Sequence, residues 1–161
     1  ADVPAIHRLY LAAAASDNLI RTATEISVSF IRHFTEAALA TGQTYVIENP
    51  ADGEIVAEIH AYQYDLRALR HILAELTVVV HPDFAGQGLG KRVLTTFMEA
   101  VKIYRTDILR VELILRTERE PGVDDYKEME FTEEGRMVNR IINAIGGLET
   151  PVALAWVRSA D

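Results

Sequence analysis

Gly86, Gly88 and Gly90, followed by Lys91 and Arg92, are the residues whose types and spacing most directly allow chemistry in this chain. Glycines let a backbone turn tightly and approach a ligand closely. The flanking residues show what the turn joins. Leu73 to Val80 ends in the β-branched run Thr77, Val78, Val79, Val80 and is expected as a buried strand. Pro82 stops it, because proline cannot donate to a sheet ladder. After the glycines, Leu94, Phe97 or Met98, Val101 and Tyr104 recur at helical spacing and predict one apolar helix face. A helix that begins in a glycine-rich turn points unpaired N–H groups at the mouth of the turn. That arrangement binds anions, with a pyrophosphate as the natural guest. A bare strand-to-helix turn is the plainer reading, but three glycines in five residues, backed by two cations, argue against it.

Spacing decides among the glycine-rich nucleotide motifs. A P-loop fails because Ala85 stands at its first glycine and Arg92 at its Ser/Thr position, where a hydroxyl would hold Mg²⁺. A dinucleotide fingerprint fails because Lys91 stands where its third glycine belongs. The segment Val80-His81-Pro82-Asp83-Phe84, with Gly88 and Gly90 in the two small positions that follow, resembles the signature of the GNAT superfamily of N-acetyltransferases. The family pattern is a V-x-P-x-[FY] lead-in and then Q/R-x-x-G-x-G/A. Ala85 departs from it, standing where Gln or Arg is usual, which removes a side chain but no backbone donor. The resemblance implies acetyl-CoA as co-substrate. It assigns Ala85, Gly86, Gln87, Gly88, Leu89, Gly90 and Lys91 to the pyrophosphate, and Val78, Val79 and Val80 to the pantetheine arm.

Composition bounds the rest. The chain has 161 residues, enough for one domain with a substantial core. It has no cysteine, which excludes disulfides, thiolate metal sites and a cysteine nucleophile. No metal site is expected. A net charge of −8 argues against a nucleic-acid grip and suits a cationic amine. No run reaches a membrane-spanning length, so no membrane partner is expected and the cytoplasm is the default location. A homodimer is left open.

Along the chain, Asp2 reads as an N-cap with Pro4 in the first turn of a helix reaching about Ala15. The resemblance implies a further strand ahead of residue 1. A second helix is expected from about Thr24 to Ala40, with Ile26, Phe30, Phe34, Ala37 and Ala38 in one stripe and Gly42 at its end. Gln43 to Glu48 and Glu54 to Tyr62 read as a hairpin, and Gln63 to His71 as a polar connector. Leu109 to Arg116 is the next expected strand, then a charged turn at 117–122 and a short helix from Val123 to Met129. Arg136 to Asn143 and Val152 to Arg158 are read as the last two strands. This order matches the GNAT fold. The class is α/β (α+β): a mixed, mostly antiparallel sheet with helices on both faces, in one domain over residues 1–161. The resemblance adds a central strand pair, those of Val80 and Leu113, that splays apart.

Acetyl transfer to an amine needs a base for the amine proton, a donor for the carbonyl oxygen and an acid for the departing thiolate. Tyr126 lies five residues before Phe131, a spacing that resembles the family's Y-x-x-x-G-F motif and implies the acid, although Glu130 replaces the glycine. Glu75 stands where several family members carry a glutamate and is the base candidate. Glu112, His60, His81 and ordered water are alternatives. The resemblance implies a backbone N–H at Val79 or a neighbour as the oxygen donor. The expected function is transfer of acetyl from acetyl-CoA to a primary amine, on a small molecule or a peptide, by direct attack in a ternary complex. The alternative is a catalytically weak acyl-CoA-binding or sensing module.

Overall fold

The computed structural model describes residues 1–116 and 119–160. Helices α1 (Val3–Ala15) and α2 (Val28–Thr41) come first, then strands β1 (Gln43–Glu48), β2 (Ile55–Gln63) and β3 (Ile72–Val80). Helix α3 (Leu89–Tyr104), β4 (Arg110–Leu115), α4 (Val123–Glu128), β5 (Thr132–Arg136), β6 (Ile141–Ile142), β7 (Leu148–Glu149) and β8 (Val152–Val157) follow. The main sheet has the order β1-β2-β3-β4-β8-β5, and β6 pairs with β7 in a separate small ladder. All neighbours are antiparallel except β3 and β4, which run parallel and pair only at Ile72 with Arg110 and Leu73 with Val111. This is the mixed sheet with a splayed central pair that the sequence led us to expect.

The sheet is covered on both faces, which gives two cores. Ala57, Ile59 and Ala61 of β2 pack with Leu94, Phe97, Met98 and Val101 of α3. The opposite face carries Ile6, Leu9, Tyr10 and Ala13 of α1 with Ile31 and Phe34 of α2. Alternation on β2 therefore separates two buried faces rather than a wet one from a dry one. Its polar residues survive burial by pairing. Glu58 is fully buried and accepts hydrogen bonds from Tyr10 Oη at 2.5 Å, Thr44 Oγ1 at 3.1 Å and the His60 ring at 3.0 Å. His60 stacks on Phe34 with ring centroids 4.0 Å apart.

Several expected boundaries moved. Helix α2 starts at Val28, not Thr24, because Ser27 Oγ caps it by accepting the Phe30 N–H at 3.0 Å. Thr22 and Glu25 close their own turn ahead of it, and Ile26 is buried outside the helix. Asp2 holds the N-cap position of α1 but makes no side-chain cap. Tyr104 is exposed, so the apolar stripe of α3 ends at Val101. The strand expected at Arg136 to Asn143 is instead β5, immediately after Phe131, followed by the β6–β7 hairpin. The physical reason is that Thr132-Glu133-Glu134-Gly135-Arg136 lies at a sheet edge with mostly exposed side chains, so it needs no apolar alternation. The apolar residues that suggested the later strand, Val138 and Ile142, are exposed.

Candidate active site

The splay begins where β3 leaves β4. On its other side β3 pairs with β2, and here a β-bulge intervenes: His60 lies opposite Thr77 and Tyr62 opposite Ala74, so Glu75 and Leu76 together face Ala61. Glu75 takes φ +54°, a left-handed conformation that costs a non-glycine residue about 1 kcal/mol. The bulge re-aims the strand. Beyond it, the His81 N–H donates to Val56 O at 2.8 Å, which sets the phase of the ladder. Val79 and Thr77 therefore turn their backbone groups toward β2. Val78 and Val80 turn theirs toward the gap left by β4.

A cleft of about 850 Å³ runs through this gap. Residues 75–80 of β3 line one side and residues 112–116 the other, with Tyr126, Ala85, Glu120 and Pro121 toward one end. Tyr10, Phe30, Tyr64, residues 18–21, Arg110, Glu134 and Met137 also line it.

At the first end the chain turns through Pro82–Phe84 into the glycine segment. Gly86 and Gly88 both have φ +77°, which a residue with a Cβ adopts only under strain, and open space surrounds both. Gly88 is the N-cap of α3. Gly90 meets a different demand: a Cβ there would lie 2.8 Å from Pro121 Cδ, so the loop before α4 packs directly on the start of α3. That loop also brings a carboxylate to the anion cradle, since the Gly86 N–H donates to Glu120 Oε2 at 2.8 Å. Lys91 points away to an ion pair with Glu128 at 2.6 Å. Ala85, Gln87 and Gly88 are exposed and Leu89 is half-buried. The residues suit a pyrophosphate: the donors are backbone N–H groups on glycines, and one of them already holds an anionic oxygen.

Tyr126 is buried on α4, with its ring edge-on to Phe131 at 5.3 Å between centroids. Its hydroxyl has no hydrogen-bond partner among the described residues, and the side chain lines the cleft. Burial, aided by Asp125, pushes its phenol well above the ordinary value, so it is a proton donor over the whole physiological range.

Glu75 is exposed at the bulge and lines the cleft. Tyr62 Oη donates to its Oε2 at 2.6 Å, and Oε1 has no partner among the described residues. Glu112 lies across the gap in a tighter setting. Tyr64 Oη donates to it at 2.6 Å and Arg110 Nε at 2.7 Å, while Arg110 also forks onto Glu134. Partial burial and the Glu75 carboxylate push the Tyr62 phenol up to about 12. The Glu112 carboxylate, with partial burial, does the same for Tyr64, also to about 12. Of the other base candidates, His60 is buried against Glu58 and Phe34, outside the cleft lining. His81 caps the following turn, its Nδ1 accepting the Asp83 N–H at 3.1 Å. Sequence reasoning missed Tyr62, Tyr64, Arg110 and Glu120. The first two sat in or beside a segment read as a connector, and nothing local marks the other two.

Among the described residues no His, Asp or Glu cluster could hold a metal ion, and no helix is long and apolar enough to cross a membrane.

Residues 40–133 match the family model for the acetyltransferase (GNAT) domain. No curated protein matches the sequence. Among solved structures the chain is similar to yncA from Salmonella typhimurium, solved with its cofactor acetyl-CoA, at TM-score 0.82 and 17% identity, covering 99% of this chain and 90% of that one. It is also similar to a ribosomal-protein-alanine N-acetyltransferase from Brucella melitensis, at TM-score 0.79 and 17% identity over 98% and 94% of the two chains. A phosphinothricin acetyltransferase from Sinorhizobium meliloti in complex with acetyl-CoA gives TM-score 0.79 and 14% identity over 97% and 83%. At these identities the structural likeness speaks for the fold, while the family match covers more than half of the chain and includes both walls of the cleft. The chain belongs to the GNAT acetyltransferase family.

Proposed function

We propose that this protein transfers the acetyl group of acetyl-CoA to a primary amine, by direct attack with both substrates bound. The observation that carries the reading is the gap between β3 and β4, where an unpaired strand edge, an exposed carboxylate and a buried phenol line one cleft beside a glycine-built anion site. Bound acetyl-CoA supplies an activated acetyl thioester. Gly86, Gly88 and the first turn of α3 hold its pyrophosphate, and the cleft-facing backbone of Val80 holds its arm.

The roles of the side chains follow from their surroundings. Glu75 Oε1 accepts the amine proton, directly or through one water. Glu112 is the poorer base because two donors, one of them a guanidinium, already hold its carboxylate. The Val78 N–H, turned toward the gap, is the donor for the carbonyl oxygen as charge develops on it. The Val79 N–H faces β2, so the donor role falls on its neighbour. Tyr126 Oη holds its proton toward the departing sulfur. The absence of cysteine removes the usual thiol nucleophile for a covalent relay, which supports direct attack.

The solved structures named above include one for a protein alanine and one for a small molecule, so the fold itself does not choose the acceptor. The test of the reading is thiol release from acetyl-CoA with a panel of amines, with Glu75→Gln run beside the wild type across pH. Glu75→Gln should lower kcat/KM by about 10²-fold or more and remove the acidic limb of its pH profile. An unchanged rate and limb would move the base elsewhere. Tight CoA binding without thiol release from any amine would favour the acyl-CoA-binding reading.

A further inference from the structure

A base must be held still to meet a substrate, and Glu75 is exposed. A glutamate side chain at a surface samples several rotamers, and fixing one of them costs conformational entropy. Two features of the fold act on that freedom. The first is the bulge. The register of β2 against β3 slips between His60 and Tyr62, opposite Glu75, and Thr77 Oγ1 donates to Glu75 O at 2.8 Å. This pins the Glu75 backbone, and the bulge aims the side chain at the cleft. The carboxylate at its end still needs a partner. Tyr62 Oη supplies the one hydrogen bond that reaches it among the described residues, to Oε2 at 2.6 Å.

Tyr62 is a fixed donor because the core holds it. Its ring packs against the cluster of α1 and α2 and lies parallel to the His60 ring, 3° apart in plane with centroids 6.3 Å apart. His60 stacks in turn on Phe34 of α2, and its Nδ1 lies 3.0 Å from both oxygens of buried Glu58. Tyr10 and Thr44 complete the bonds to Glu58. A buried polar network with its members satisfied is rigid. The phenol of Tyr62, pushed up to about 12 chiefly by burial, keeps its proton and stays a donor.

We propose that Tyr62 is the positioning residue of the base: it holds Oε2 of Glu75 and thereby presents Oε1 to the attacking amine. This rests on the acetyl-transfer reading with Glu75 as its base. Tyr62 is not among the residues lining the cleft, so it acts on the acceptor only through Glu75. Without its hydroxyl, the two carboxylate oxygens become equivalent and the side chain spends part of its time turned away. Such a loss of orientation falls on the chemical step rather than on binding.

The test is a double-mutant cycle of Tyr62→Phe and Glu75→Gln, read by thiol release from acetyl-CoA with a competent amine. Tyr62 is half-buried, and Tyr62→Phe removes one oxygen while keeping the ring. It should lower kcat by about tenfold and leave the amine KM and CoA affinity within about twofold. Added to Glu75→Gln, it should cost less than about twofold more. A wild-type kcat in Tyr62→Phe, or a full further tenfold loss in the double variant, would overturn the proposal. An unmoved rate in Glu75→Gln alone would instead remove the base reading, and the role of Tyr62 with it. Side-chain three-bond couplings of Glu75, measured by NMR, decide the placement without any turnover and need only the wild type. One dominant rotamer is expected there, and averaged couplings in Tyr62→Phe. Averaged couplings in the wild type would overturn the proposal, whatever the rates or the folding of the variant.

Discussion

The Gly86 N–H donates to the Glu120 carboxylate at 2.8 Å, so a side chain of the protein sits on a donor that the pyrophosphate needs. Binding must break that charge-assisted bond and move a negative group away from an incoming anion. Glu120→Gln should therefore tighten CoA binding, by about three- to tenfold given a net worth of about 0.7–1.4 kcal/mol for a partly exposed bond of this kind. Titration calorimetry with CoA checks it. Weaker binding in the variant would mean that Glu120 serves the ligand rather than competing with it.

Tyr126→Phe separates catalysis from binding. The hydroxyl has no hydrogen-bond partner among the described residues, so its loss should leave stability little changed. If it protonates or steadies the departing sulfur, kcat should fall by at least about tenfold with CoA affinity little changed, at the lower end of general-acid effects because a thiolate is already a fair leaving group. Single-turnover kinetics beside a CoA titration reads both. A wild-type rate in the variant would remove Tyr126 from the chemistry.

Gly90 and Gly88 should fail for different reasons. Gly90→Ala places a methyl 2.8 Å from Pro121 Cδ and 3.0 Å from Pro121 N, forcing the loop before α4 off the helix start. A cost of about 1–3 kcal/mol is expected, seen as a lower urea midpoint. Gly88→Val meets no atom within 4 Å but must adopt φ +77°. Its strain of about 1–2 kcal/mol comes with a branched side chain over the anion site, so CoA affinity should fall more than stability does. Equal CoA affinity in Gly88→Val and wild type would sink the site assignment.

Alkaline stability follows from Tyr62 and Tyr64, whose phenols are raised from 10.0 to about 12 in the folded protein. A group raised on folding keeps its proton in the native state after the unfolded chain has lost it. Stability is then full below about pH 10 and declines as pH rises toward 12. Urea midpoints should drop across that window, and Tyr64→Phe should shrink the drop. A midpoint that falls equally in the variant would assign the loss to other groups, such as buried Tyr10 and Tyr126, which are also raised.

What could be read from sequence depended on how local each cause is. The strand into Val80, the glycine turn and α3 announce themselves, because β-branching, Pro82 and Gly86 to Gly90 act on their own backbone. The bulge at Glu75 does not, since its positive φ exists only through the pairing of β3 with β2. An exposed edge strand such as β5 carries no apolar rhythm to detect. Glu120 and Arg116 act on partners 34 and 97 residues away, through bonds that no spacing rule anticipates. Nothing within β2 shows that α1 and α2 cover the face of Glu58 and His60, so the burial of that pair is invisible in its own segment.

The meagre contact between β3 and β4 divides the sheet into two half-sheets, β1-β2-β3 and β4-β8-β5, hinged at the pairs Ile72–Arg110 and Leu73–Val111. Past the hinge each half presents a raw edge to the other. A flexible, amide-bearing arm laid between those edges behaves as a surrogate strand, satisfying polar groups that otherwise face water. The co-substrate thereby becomes part of the architecture, and its occupancy should stiffen the two jaws as one body. Thermal stability should then rise with the logarithm of its concentration once above the dissociation constant.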